Sequence, residues 1–174
     1  MARDASDKQL SELAWKHIGA EEYDKAEAAI RQRIAIADPK DSRLQWELYG
    51  LLASTLNSLA RHAEATVLLR ESLGYARKVG PTYSGIQVSR YMLANQELSH
   101  GDPAGALAEA IPVPDGPGHI ECLLHSVAAE ALWKLNHGDE SRQAAQRALA
   151  ASPTDERRSE LAIELAHILG TDDS

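Results

Sequence analysis

Four stretches of this 174-residue chain read alike: Glu22-Tyr-Asp-Lys-Ala-Glu-Ala-Ala-Ile30, Arg61-His-Ala-Glu-Ala-Thr-Val-Leu-Leu69, Gly101-Asp-Pro-Ala-Gly-Ala-Leu-Ala-Glu-Ala110 and Gly138-Asp-Glu-Ser-Arg-Gln-Ala-Ala145. Each opens on polar residues and runs into an alanine-rich apolar stripe. Ala26, Ala29, Ile30 and Ile34 share one helical face, and upstream Leu10, Leu13, Ala14 and His17 share another. Spacings of i, i+3 and i+4 are those of an α-helix with one covered side. Recurrence of such a stretch at a period of roughly 20–50 residues marks a chain built from one unit used several times.

Composition points the same way. Alanine (29) and leucine (22) far outnumber valine plus isoleucine (14), which favours helix because unbranched side chains keep their rotamers there. Phenylalanine is absent, so the core is expected from Leu, Ala and Ile. A net charge of −8 argues against nucleic acid as partner, since that binding rests on clustered Lys and Arg. The single Cys122 allows no internal disulfide and fits a reducing compartment. No apolar run approaches ~20 residues, so no membrane insertion is expected. The first residues carry no apolar signal core, and the expected location is the cytoplasm.

Punctuation divides the chain into nine predicted helices, at about 7–20, 22–37, 42–59, 61–79, 82–100, 102–111, 119–136, 139–151 and 154–169. Ser6 with Gln9 and Ser42 with Gln45 have the spacing of a capping box. Asp38-Pro39 and Gly80-Pro81 stop helices, and Ser152-Pro153 starts one. His100-Gly101-Asp102 and His137-Gly138-Asp139 each read as a glycine stop followed by an aspartate cap, with the histidines at helix C-termini. Only Ile111 to Gly118 reads as a clear loop. With connections this short, consecutive helices are antiparallel neighbours. The expected fold class is all-α.

The repeated stretch resembles the tetratricopeptide repeat, in which a small residue of helix A packs on a small residue of helix B. The matching pairs are Ala14 with Ala26, Ala53 with Ala65, Ala94 with Ala106, and Ala129 with Ser141, each 12 positions apart. The helix-A positions recur at 39, 41 and 35 residues, and the extra length at Gly74 to Ser84 looks like the longer bacterial variant. Helix A lacks the usual Trp and Gly of the pattern. The resemblance implies a right-handed α-α superhelix of about four helix pairs, at 7–40, 41–80, 81–117 and 118–153, forming a single domain over 7–169. Residues 154–169 are expected as a capping helix, 1–6 as a flexible N-terminus and 170–174 as an acidic tail. Stacked pairs leave a concave groove lined by the A helices, which in this family holds peptides or short helices of partners.

In that register the groove residues are Lys8, Ser11 and Trp15, then Glu47, Ser54 and Asn57, then Tyr91 and Asn95, then Ser126, Glu130, Trp133 and Lys134. Asn57 and Asn95 sit mid-helix, where asparagine costs roughly 0.5 kcal/mol against alanine, and their amides suit a peptide backbone. The alternative is that they face solvent or bond each other. Trp15 and Trp133 are either anchors for a partner or packing between helices. Trp46 and Tyr23 are assigned to packing. The family's carboxylate clamp would fall on Ser11, Trp15, Leu51, Val88 and Met92, none of which matches its Lys, Asn and Arg.

His119, Glu121, Cys122 and His125 supply two ligand pairs on different helix faces, not a four-ligand metal site. No catalytic residues, metal or cofactor are therefore expected. The leading expectation is a non-enzymatic adaptor for a protein or peptide partner. Self-assembly into a homo-oligomer and a secretion-type chaperone are the alternatives.

Overall fold

The computed structural model describes the backbone of residues 2–113 and 118–170, and side chains from residue 7 onward within those spans. Ten helices form among the described residues, and no strand. They are α1 (Ala2–Gly19), α2 (Tyr23–Ile36), α3 (Ser42–Ser58), α4 (His62–Val79), α5 (Gly85–Ser99), α6 (Pro103–Ala110), α7 (His119–Lys134), α8 (Gly138–Ala151), α9 (Asp155–Glu164) and α10 (Ala166–Leu169). The fold is all-α, as expected. Among the described residues no helix is long and apolar enough to cross a membrane.

The chain forms two compact units, Met1–Ser89 and Arg90–Ser174. In the first, α1 packs on α2, α2 on α3, and α3 on α4. Its interior is leucine-rich: Leu48, Leu52 and Leu56 of α3 meet the layer that holds Leu69 and Leu73 of α4. Trp46 belongs to this packing. Its indole N–H donates to Ser89 Oγ at 2.8 Å, and its ring stands edge-on to Tyr83 at 5.2 Å. A side chain on Gly85 would run into Tyr83 and Trp46, so the close approach requires glycine there. In the second unit α6 packs on α7 and α7 on α8, and the last two helices fold back so that α10 reaches both α7 and α8.

The small pairs sit where the register puts them. Ala14 and Ala26, Ala53 and Ala65, Ala94 and Ala106, and Ala129 and Ser141 are all buried, none more than 1% exposed. In the fourth pair the Ser141 hydroxyl donates to the Ala129 carbonyl at 2.9 Å, across the helix contact itself.

Four turns join these pairs, and they are one turn repeated. Seven residues after each helix-A alanine the backbone enters the left-handed region, at Glu21 (φ 56°), Ala60 (58°), Gly101 (80°) and Asn136 (64°). The following amides, of Glu22, Arg61, Asp102 and His137, donate to the carbonyls of His17, Leu56, Glu97 and Leu132, each at 2.9 Å. That six-to-one bond is a Schellman closure, which satisfies carbonyls the helix end leaves orphaned. The carbonyls of the same four residues accept the amides of Ala26, Ala65, Ala106 and Ser141. Each turn thereby fixes the helix-B small residue relative to its partner.

Several predicted boundaries move. The backbone of α1 is helical from Ala2, so Ser6 lies inside it; the Ser6 side chain lies outside the described residues. Asp41, not Ser42, caps α3 by accepting the Leu44 amide, while Gln45 donates to the Asp38 carbonyl. Thr154, not Ser152, caps α9 through the Arg157 amide, and Ser152 closes α8. Asp102 does cap α6, accepting from Gly105. At the fourth turn the frame shifts by two: Asn136 is the left-handed residue, His137 precedes α8, and Gly138 is helical. His137 therefore stands at a helix N-terminus, where a positive ring opposes the dipole. The final predicted helix breaks at Leu165, because a tighter turn there keeps Leu161, Leu165 and Ile168 all buried. Residues 114–117 of the expected loop and 171–174 of the expected tail lie outside the described residues.

Candidate functional site

In the first unit, Lys8, Ser11 and Trp15 fall on one stripe of α1. Lys8 is solvated, with its ammonium 3.9 Å from Glu12, and Ser11 is half-buried. The Trp15 indole is 58% exposed, which excludes it from the packing it was weighed against. On α3, Glu47 is exposed and takes a 3.4 Å bond from Arg43, and Ser54 is exposed. Asn57 is half-buried, with its side-chain oxygen 3.1 Å from His62 Nδ1. That contact ties the end of α3 to the start of α4 and accounts for asparagine at a helix position.

In the second unit, Asn95 is exposed and its carbonyl accepts from Ser99. Tyr91 is half-buried against the apolar core, and burial pushes its hydroxyl above the usual tyrosine range; nearby Arg157 opposes the shift and Glu164 adds to it. The Ser126 hydroxyl donates to Cys122's carbonyl, and Lys134 is exposed. Glu130 and Trp133 are both engaged by the last helix. His167 Nε2 lies 3.2 Å from Glu130 Oε1, and the His167 ring meets Trp133 edge-on at 5.8 Å. Trp133 nevertheless stays 40% exposed.

The chemical cluster on α7 does not converge. Cys122 is buried, and burial raises its thiol pKa, which keeps it protonated and a poor nucleophile. Among the described residues no group of three His, Cys, Asp or Glu side chains is placed to share a metal ion.

The first unit also holds a cleft that sequence reasoning missed. It has a volume of about 270 Å³ and lies between α2, α3 and α4, lined by Arg31, Ile34 and Ala35, by Tyr49 and Leu52, and by Leu68 and Glu71. None of the predicted groove residues reaches it. Tyr49 packs on Tyr75 with ring centroids 5.3 Å apart, and Lys78 Nζ lies over the Tyr75 ring at 4.6 Å. Burial, and then neighbouring Tyr75 and Glu71, push the Tyr49 hydroxyl above its usual range, so it stays protonated and can donate. The signal was present as two helical stripes, Arg31–Ile34–Ala35 and Leu68–Glu71–Tyr75, but only the fold brings them together.

The class these features define is an all-α chain of helix hairpins closed by one repeated turn. No family model matches it, and no curated protein does. Among solved structures it is similar to the crystal structure of BtubC (BKLC) from P. vanneervenii, with a TM-score of 0.73. The match covers 94% of this chain and 71% of that one at 17% identity, a likeness of fold alone.

Proposed function

We propose that this chain is a cytoplasmic, non-enzymatic scaffold of the tetratricopeptide type, which holds a peptide or short helix of a partner protein against the exposed faces of its A helices. The observation that carries this reading is the fourfold repetition of one hairpin: a small pair 12 residues apart, a left-handed residue at the seventh position and the same closing bond. A unit that cannot bury its apolar face alone and is used in series is an architecture suited to presenting surface. The solvated Trp15 supports α1 as part of that surface, because an exposed indole offers a large contact at low entropic cost. The surface of a chain with net charge −8 favours basic or apolar partners.

The test compares wild type with Trp15→Ala in capture from host lysate, with helicity matched by circular dichroism. A protein held by wild type and weakened about tenfold or more by the variant is the expected result. Equal capture by both overturns the A-helix surface. Capture of the chain by itself alone, with a mass that grows with concentration in light scattering, overturns the adaptor in favour of self-assembly.

A further inference from the structure

We propose that the cleft between α2, α3 and α4 is a pocket for one basic side chain, a lysine or arginine, of a partner polypeptide. It is distinct from the A-helix surface and does not depend on it. The floor is aliphatic: Leu52 is 1% exposed, and Ile34, Ala35 and Leu68 complete it. Such a floor suits the methylene stem that Lys and Arg lay along apolar surface while keeping their charge at the rim.

The rim is charged unequally. Arg31, the one cation on the lining among the described residues, is already committed, with its Nε 2.8 Å from Glu27 Oε1. Glu27's second oxygen is held by Arg61 at 2.5 Å. Glu71 is exposed and lies beside the Tyr49 hydroxyl; among the described residues no cation is paired with it. A carboxylate beside a tyrosine ring is a matched pair of acceptors for an ammonium or guanidinium group. Lys78 over Tyr75 shows the same aromatic pair already hosting a cation from its own chain. An acidic ligand would meet Glu71 unopposed. A wholly apolar one would desolvate Glu71 and the Tyr49 hydroxyl without replacing their water.

The test is an amide-detected NMR titration of the full chain with the capped peptide Ac-Gly-Lys-Gly-NH2, and in parallel with Ac-Gly-Glu-Gly-NH2. The lysine peptide is expected to move the amides of Ile34, Tyr49, Leu52 and Leu68 saturably, with a roughly millimolar Kd, and the glutamate peptide to leave them in place. Glu71→Gln, at an exposed position that leaves the fold intact, is expected to weaken the lysine peptide about fivefold or more. Equal shifts from both peptides, shifts that avoid the cleft, no saturable shift, or undiminished affinity in Glu71→Gln would each overturn the proposal.

Discussion

In the first unit, α3 and α4 fill their shared interior with Leu48, Leu52, Leu56, Leu69 and Leu73. In the second, the buried residues of α8 are the small Ser141, Ala144, Ala145, Ala148 and Ala151, with Leu149 half-buried against them. The turn that sets each hairpin is identical, so the difference lies in what supplies volume. A small-residue face lets a neighbouring helix come close but leaves little apolar area of its own to bury. The last two helices make up the deficit: Leu161, Leu165 and Ile168 enter the same cluster as α7 and α8, each nine-tenths or more removed from solvent. A fully buried side chain of that size stabilises by about 1.5–3 kcal/mol. The C-terminal helices therefore belong to the core of their unit, whereas the first unit carries its large residues within the hairpin.

The sharpest way to break this contrast is truncation on both sides of it. Leu52→Ala and Leu161→Ala should each cost about 2–5 kcal/mol in denaturant unfolding. A cost below about 1 kcal/mol for Leu161→Ala alone would show that α9 rests on the unit without completing it.

The shared turn offers a smaller test. Gly101→Ala places a Cβ in open space at φ 80°, so its expected cost of about 1 kcal/mol is backbone strain alone. Ala60→Gly is the reverse exchange in the other unit and should raise the melting temperature by a few degrees, the gain reduced by glycine's extra unfolded-state entropy. Equal and opposite signs would establish the two turns as one device.

The smallest effect concerns pH. Glu22 lies 2.6 Å from both Lys25 Nζ and His17 Nδ1, and Lys25 first, then His17, hold its carboxyl below the ordinary 4.5. A folded pKa lower than the unfolded one gives stability that is complete above about pH 4.5 and lost as pH falls through the folded value. Thermal melts from pH 6 down to about pH 3 should accordingly drop less steeply for Glu22→Gln than for wild type, and parallel curves would remove Glu22 from the acid limb.

The small pairs at 12-residue spacing were legible because alanine tolerates few other roles at a buried helix crossing, and the structure buries all eight. The turns were half legible. Gly101 announces a left-handed residue, but nothing in Glu21 or Ala60 does; the hairpin imposes that conformation on side chains that resist it. Caps slipped by one or two residues where adjacent candidates compete, as at Asp41-Ser42 and Ser152-Thr154, because the preceding helix decides which side chain is free to turn back. Among the candidate site residues, helical register placed Trp15 on a face but could not say that the face stays open. It likewise could not say that His167 would come to Glu130 and Trp133. The α2–α3–α4 cleft draws on three helices, and no local spacing encodes it.

Cys122 is the chain's one thiol, and it lies at the centre of the second unit's core with no exposed surface. It is a built-in clock. An alkylating reagent can reach that sulfur only while the unit is transiently open, so the labelling rate under native conditions counts those openings directly. With no surface cysteine to compete, a thiol introduced at any exposed position would label orders of magnitude sooner.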